Sequence, residues 1–247
     1  MTHTAHTTCV AFLPGFMQRA SAWAPVAART AAKGWPTRFA DLAETGFEAS
    51  LTAIETAAER GVAVGYSMGG RLAIQAAVRS PRAFSGLVLV GATPGIEDER
   101  RRRSRRASDD SLAEWMTTQS IDSIVAHWEL QPAFAGQSPE LIRAQRAGRL
   151  AHDPRVLAAQ LRATGQGVVE PVWDRLEELT LPVLAIAGER DEKYADIAFR
   201  MATALPNARA AIVAGAGHAA HLEQPDAVTA LLAEFLDEHF GQRRVVD

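Results

Sequence analysis

The stretch of residues 61–78 constrains the fold more than any other part of the chain. Residues 61–64 form a short buried-strand pattern that runs directly into Gly-Tyr-Ser-Met-Gly at positions 65–69, and a helix-forming stretch follows at once. A serine on so sharp a strand-to-helix turn adopts a strained backbone, and glycines must flank it because a Cβ there would collide with the turn. The sequence therefore predicts a nucleophile elbow that presents the hydroxyl of Ser67 at the end of a strand.

Strand-like and helix-like segments alternate through most of the chain. Strand patterns occur at residues 8–13, 37–40, 61–65, 85–90, 182–187 and 208–213. Helical patterns occur at residues 22–33, 47–59, 71–79, 197–205 and 226–239. Strands that alternate with crossover helices predict an α/β fold, a mostly parallel sheet with helices on both faces.

Residues 97–179 interrupt this alternation. They contain no convincing strand pattern, and their amphipathic segments lie at residues 111–116, 121–128, 138–148 and 156–164. An all-helical insertion between two strands predicts a cap over the active site. We therefore expect a core formed by residues 1–96 and 180–247, with residues 97–179 as the helical cap.

Composition excludes several classes of partner. The net charge of −3 gives no reason to expect nucleic acid or an anionic membrane. The single cysteine, Cys9, excludes an intramolecular disulfide, and its apolar surroundings favour a core position. Residues 2–8 show no signal-peptide pattern, and no apolar run approaches the roughly 18 residues that span a bilayer. We expect a cytoplasmic protein without membrane insertion.

The loops after the late strands supply partners for the serine. A serine hydroxyl is a weak nucleophile or base at neutral pH and requires an imidazole that a carboxylate orients. After an elbow of this kind the acid precedes the histidine along the chain. Asp191 is the preferred acid, with Glu189 and Glu192 as alternatives. His218 follows a glycine turn and is preferred to His221, which lies at the start of the last helix.

Two backbone N–H groups are expected to stabilise a developing oxyanion. One belongs to Met68, the residue after the serine. The other belongs to the loop after the first strand, where Phe16 is the expected donor because Pro14 has no N–H.

Four sequence motifs resemble those of a known protein family. They are Gly-Tyr-Ser-Met-Gly-Gly-Arg at 65–71, Gly-Glu-Arg-Asp-Glu-Lys-Tyr at 188–194, Gly-His-Ala-Ala-His-Leu-Glu-Gln-Pro at 217–225, and a Trp-x-x-x-Pro-x-Phe pattern at 128–134. With Arg149, they resemble the α/β-hydrolase-fold superfamily and, within it, the MenH group. This group comprises the 2-succinyl-6-hydroxy-2,4-cyclohexadiene-1-carboxylate synthases of menaquinone biosynthesis. One departure is Pro14, where many relatives have a histidine that braces the loop.

The resemblance implies a lyase rather than a hydrolase. Such an enzyme eliminates pyruvate from a small anionic substrate with several carboxylates, SEPHCHC, without metal or cofactor. Ser67, activated by His218 and Asp191, would then act as a base and form no acyl-enzyme. The substrate-binding residues that the resemblance implies are Tyr66, Arg71, Arg105, Trp128 and Arg149.

The six arginines within residues 100–106 have two interpretations. Such runs are commonly the solvated, salt-bridged start of a helix. Alternatively, one guanidinium turns inward to grip an anion through its bidentate fork. The resemblance favours the second interpretation, and within the run it favours Arg105.

Two other functions compete with the lyase. A carboxylesterase or C–C bond hydrolase on the same fold would use Ser67 as an acylated nucleophile. A non-catalytic binding protein could keep the fold as a ligand pocket, although an intact Ser67, Asp191 and His218 set argues against it. Fold alone does not decide between these functions.

Overall fold

The structure is a computed structural model that describes residues 8–42 and 46–241. Within these residues, six strands form one parallel sheet in the order β2-β1-β3-β4-β5-β6. The strands are β1 (Val10–Leu13), β2 (Thr37–Phe39), β3 (Val62–Tyr66), β4 (Gly86–Val90), β5 (Val183–Gly188) and β6 (Ala208–Val213). All six lie where the sequence predicts them. The central strands β1, β3, β4 and β5 are buried along their whole length, and continuous apolar runs are typical of such strands.

Helices cover both faces of the sheet, as predicted. One face packs against α2 (Phe47–Ala58), α3 (Met68–Arg79) and α8 (Glu192–Ala204). The other face packs against α1 (Ala24–Ala32) and α10 (Pro225–Phe240), and the short α9 (Ala220–Glu223) lies beside them. Alternate residues of each strand point to opposite faces, so Leu87 and Leu89 belong to the first core while Val88 and Val90 belong to the second. Cys9 is buried at the start of the sheet, as expected.

Four α-helices lie between β4 and β5, where every residue is described. They are α4 (Glu99–Thr118), α5 (Ile121–Glu129), α6 (Pro139–Leu150) and α7 (Pro154–Thr164). Each begins at a residue whose side-chain oxygen accepts a hydrogen bond from a backbone N–H of the first turn. These N-cap residues are Asp98, Ser120, Ser138 and Asp153. The division of the chain at residues 97 and 179 remains a prediction, and its outermost residues, 1–7 and 242–247, lie outside the described part.

Two helices begin five or more residues earlier than the sequence predicts. Helix α4 begins at Glu99 rather than near Ser111, so the arginine run is helical, with Glu99 and Arg103 paired one turn apart. Helix α8 begins at Glu192 rather than Ile197, because its first turn buries Tyr194 against the sheet. No helix of residues 8–42 and 46–241 combines the length and apolarity needed to cross a membrane.

Candidate active site

Ser67 lies alone between the end of β3 and the start of α3. Its backbone has φ +48° and ψ −106°, a conformation that non-glycine residues rarely adopt. Two glycines make the turn possible. A Cβ at Gly65 would lie 2.6 Å from the Cα of Gly70, and one at Gly69 would lie 2.6 Å from the carbonyl oxygen of Pro14. The predicted strained elbow is confirmed.

The structure brings the three preferred polar residues together. Asp191 lies between β5 and α8, and His218 lies in the loop between β6 and α9. The Nδ1 atom of His218 lies 2.6 Å from Oδ2 of Asp191, and its Nε2 atom lies 3.2 Å from Oγ of Ser67. With the Nδ1 proton donated to the carboxylate, Nε2 is free to accept the serine proton. Of the alternative acids, Glu189 accepts a hydrogen bond from the Gly215 N–H, and Glu192 is the first residue of α8.

Glu223 is a buried carboxylate beside His218 that the sequence reasoning left without a role. Its Oε2 accepts a hydrogen bond from the N–H of Gly217 at 2.6 Å, and its Oε1 accepts one from the N–H of Ala219 at 3.2 Å. Its carboxylate also lies 3.5 Å from the guanidinium of Arg190, the residue before Asp191. Glu223 therefore links the loop that carries the histidine to the loop that carries the acid.

The two expected oxyanion donors belong to Met68, which directly follows Ser67, and to Phe16, which lines the same cavity as the serine. Met68 is the first residue of α3, so its N–H has no carbonyl partner within the helix. Phe16 lies in a turn in which the N–H of Gln18 donates to the carbonyl of Gly15 at 3.2 Å. The loop is braced without the usual histidine, because the indole N–H of Trp23 donates to the carbonyl of Leu13 at 2.9 Å. The donor roles of Phe16 and Met68 remain predictions.

A cavity of about 730 Å³ lies above the serine, between the sheet and the helices α4–α7. Its lining includes every residue that the sequence assigns to the site. These residues are Phe16, Tyr66, Ser67, Met68, Arg71, Arg105, Trp128, Arg149, Asp191 and His218. It also includes residues that the sequence reasoning did not single out, among them Lys193, Tyr194 and Gln166. Lys193 adds another cation, and the hydroxyl of Tyr194 accepts a hydrogen bond from Gln166 at 2.9 Å.

Arg71 is a deeply buried cation of the cavity, at 4% exposure. Its Nη2 donates to the carbonyl of Thr164 at 2.6 Å, whereas its Nε has no partner among the described residues. It forms no ion pair with a carboxylate in that part of the chain. Burial lowers the pKa of its guanidinium to about 10, which leaves it charged at neutral pH. A buried charge of this kind is unfavourable unless an anion pairs with it.

Arg105 is the member of the arginine run that lines the cavity. Its Nε donates to Oδ1 of Asp109 at 2.8 Å, and its Nη1 donates to Oε1 of Gln166 at 3.1 Å. Other arginines of the run pair outside the cavity, such as Arg102 with Glu170 at 3.1 Å. Each interpretation therefore holds for part of the run. Most of its arginine side chains are exposed to solvent, whereas Arg105 faces the cavity.

Arg149 is buried, and its guanidinium already has protein partners. Its Nη1 lies 3.1 Å from Oε1 of Glu129, and its Nη2 donates to Gln145 at 3.1 Å. The guanidinium also lies 5.5 Å from the centre of the Phe134 ring. Glu129 simultaneously binds Arg146, so two arginines share one carboxylate and a net positive charge remains.

Aromatic rings line the cavity at Phe16, Tyr66 and Trp128, and further rings pack behind Tyr66. The ring of Tyr66 lies 4.4 Å from that of His221, which in turn lies 4.2 Å from that of Trp23. Burial lowers the pKa of His221 to about 3, so this histidine is neutral and serves as a packing residue. The ring of Trp128 meets Phe16 edge-on, with centroids 5.3 Å apart.

Comparison with known proteins agrees with the architecture. A model of the alpha/beta hydrolase family matches residues 10–231. The chain belongs to the alpha/beta hydrolase family. This α/β hydrolase is 41% identical over 176 residues to a Bacillus subtilis protein provisionally named as a 2-succinyl-6-hydroxy-2,4-cyclohexadiene-1-carboxylate synthase. That match covers 70% of this chain and 64% of the Bacillus protein, which is less than two thirds of its length.

A second relative and two solved structures extend the comparison. This α/β hydrolase is 36% identical over 173 residues to the 2-succinyl-6-hydroxy-2,4-cyclohexadiene-1-carboxylate synthase of Salmonella paratyphi A, covering 70% of this chain and 67% of that protein. MenH from S. aureus superposes with a TM-score of 0.89 at 29% identity, covering 97% and 99% of the two chains. An esterase from Thermogutta terrifontis superposes at 0.82 with 21% identity, covering 96% and 92%, which shows the shared fold alone.

Proposed function

We propose that this α/β hydrolase is a lyase of the MenH type. It would eliminate pyruvate from SEPHCHC to give 2-succinyl-6-hydroxy-2,4-cyclohexadiene-1-carboxylate in menaquinone biosynthesis. The names of the relatives and the arrangement of the site support this proposal. The cytoplasmic location and the absence of a nucleic-acid partner remain predictions from the sequence.

The environment of Arg71 is the main support for this proposal. Its guanidinium is buried at the cavity wall, keeps its charge and lacks a carboxylate partner in the described part of the chain. Arg105, Arg149 and Lys193 line the same cavity, and Asp109 and Glu129 only partly offset their charge. A site of this kind favours a substrate that brings several carboxylates of its own, because planar guanidinium groups bind carboxylates through paired hydrogen bonds.

Proton abstraction starts the proposed reaction. His218, oriented by Asp191, takes the hydroxyl proton of Ser67, and the serine oxygen removes a proton from a carbon of the substrate. The electrons of that C–H bond form a new ring double bond as the C–O bond to the enolpyruvyl group breaks. The group leaves as the enolate of pyruvate, which becomes pyruvate by taking the proton that His218 holds. The N–H groups of Phe16 and Met68 would stabilise negative charge on a substrate oxygen during this step.

A serine hydrolase is the second candidate function. The Ser67–His218–Asp191 geometry that activates a base would equally activate a nucleophile for attack on an ester. In that reaction the serine oxygen forms a covalent acyl-enzyme, which water then hydrolyses. The cationic lining of the cavity favours the lyase, since simple esters provide no carboxylates for Arg71 and its neighbours.

Parallel substrate assays separate the two candidates. Purified enzyme is given SEPHCHC, generated enzymatically, with pyruvate measured by lactate dehydrogenase, and p-nitrophenyl acetate in a separate reaction. We expect rapid pyruvate release and negligible ester turnover. Fast ester hydrolysis with a burst of p-nitrophenol and no pyruvate would establish the hydrolase instead.

A further inference from the structure

Met17 has a backbone conformation that its side chain does not favour. It occupies the third position of the turn that Gln18 N–H and Gly15 C=O close, and its φ is +60°. A positive φ at this position alone is typical of a type II turn, where glycine is preferred. A larger residue persists there only when its surroundings hold it in place.

The side chain of Met17 is held by the cap. It is 1% exposed and belongs to the hydrophobic cluster between α4, α5 and α7. The other buried members of this cluster are Ala113, Met116, Ile124, Val125, Leu157, Ala158 and Leu161. Among these buried members, Met17 is the one that comes from a loop of the sheet rather than from a helix between β4 and β5.

The turn that contains Met17 also contains Phe16, the proposed oxyanion donor. On the side of the sheet, Gly15 lies so close to Tyr66 that a Cβ there would come within 2.6 Å of the tyrosine ring. On the side of the cap, the ring of Phe16 contacts that of Trp128, with centroids 5.3 Å apart. The peptide N–H of Phe16 is thus fixed between one anchor in the core and another in the cap.

We propose that Met17 is a positioning residue that couples the cap to the oxyanion-binding turn. Its insertion into the cap cluster maintains the positive φ and thereby holds the N–H of Phe16 toward the serine. Loss of this anchor would let the turn relax and would misplace the donor while Ser67, His218 and Asp191 keep their geometry. This inference rests on the proposed role of Phe16, but it applies to a lyase and to a hydrolase alike.

Two variants of the same residue type test the proposal. Met17→Ala and Met116→Ala each truncate a methionine that is 1% exposed in the same cluster. Both should weaken the cap to a similar extent, and thermal unfolding checks that they do. Of these two residues, only Met17 lies in the oxyanion-binding turn. Met17→Leu, which nearly conserves side-chain volume, serves as the rescue variant.

The primary measurement is the rate at which an alkyl fluorophosphonate modifies Ser67. The serine oxygen bonds to phosphorus, fluoride leaves, the hydroxyl proton passes to His218, and the phosphoryl oxygen uses the oxyanion donors. We expect Met17→Ala to react about 10- to 100-fold more slowly than the wild type, because a misplaced donor is nearly as damaging as a missing one. Met116→Ala should lose less than threefold, and Met17→Leu should recover most of the rate.

Steady-state kinetics provides the second measurement. In the pyruvate assay Met17→Ala should lower kcat by a similar factor and leave KM within about threefold, the pattern of an interaction made mainly in the transition state. Equal losses of fluorophosphonate reactivity in Met17→Ala and Met116→Ala would overturn the proposal and reduce Met17 to a packing residue. If the lyase proposal is wrong, the wild type will release no pyruvate. The fluorophosphonate comparison still decides the role of Met17 in that case, so the two failures can be told apart.

Discussion

Glu223 holds the backbone of His218 from both sides. Its two carboxylate oxygens accept hydrogen bonds from the residues immediately before and after the histidine. The carboxylate side chain is only 5% exposed, so these charge-assisted bonds are shielded from water. The orientation of the imidazole therefore depends on a residue whose polar partners are Gly217, Ala219 and Arg190.

The first prediction concerns the charge of Glu223. In Glu223→Gln, one of the two acceptor oxygens becomes an amide N–H2 that faces a backbone donor, and the loop must shift. We expect kcat to fall about tenfold or more with little change in KM, because small misplacements of a catalytic group reduce rate strongly. Pyruvate release under saturating and limiting substrate separates the two constants.

Glu189→Gln is the matched control for that variant. Glu189 also accepts a hydrogen bond from the same loop, but its side chain is exposed and the donor is the N–H of Gly215, three residues before His218. We expect its kcat to stay within about threefold of the wild type, since a single exposed hydrogen bond contributes little. Equal losses in Glu189→Gln and Glu223→Gln would show that the pair of bonds around His218 has no special role.

The second prediction separates stability from activity at Arg71. Arg71→Met removes a buried charge that lacks a carboxylate partner and replaces it with an apolar side chain of similar length. We expect an unfolding free energy at least equal to that of the wild type, together with a loss in kcat/KM of about 100-fold. Urea unfolding and pyruvate kinetics measure the two quantities. A variant that is destabilised and fully active would contradict the assigned role.

The third prediction uses the two arginines that share Glu129. Arg149 faces the cavity, whereas Arg146 is more exposed and does not line it. Arg149→Ala leaves Glu129 paired with Arg146, so the protein should fold while KM rises about tenfold or more. Arg146→Ala keeps the cavity cation and should change KM less than threefold. Similar KM values for the two variants would remove Arg149 from the binding site.

The fourth prediction concerns acid stability. Burial lowers the pKa of His221 to about 3 and that of His152 to about 4, against about 6.5 in an unfolded chain. The unfolded chain therefore binds protons more readily, and the stability that these neutral imidazoles contribute is complete above about pH 6.5 and is lost as the pH falls. His221→Phe should lose less unfolding free energy than the wild type between pH 7.5 and 4.5. Parallel losses in urea unfolding would contradict this assignment.

Much of the fold could be predicted because local patterns dominate it. The central strands β1, β3, β4 and β5 are apolar runs buried along their whole length, and Ser67 lies in a glycine context that allows one kind of turn. The loops that carry Asp191 and His218 directly follow strands, so parallel pairing brings them to one edge of the sheet. Helix α4 extended further than predicted because its charged residues pair one turn apart, as Arg105 does with Asp109.

The remaining features depend on tertiary contacts that have no local pattern. Nothing in the sequence around Met17 indicates a positive φ, since the cap cluster imposes it from about 100 residues away. The sharing of Glu129 by two arginines requires the packing of α5 against α6. Glu223 lies within one of the sequence motifs, but its two hydrogen bonds to backbone N–H groups depend on the folded conformation of the loop.

Pyruvate release from SEPHCHC by the wild type and by Ser67→Ala tests directly whether Ser67 is the base of the proposed lyase. We expect the wild type to release one pyruvate per substrate and Ser67→Ala to lose at least about 10³-fold in kcat/KM, because the members of a triad act as a unit. Ser108→Ala, which changes another cavity-lining serine, should stay close to the wild type. Substantial pyruvate release by Ser67→Ala would contradict the mechanism.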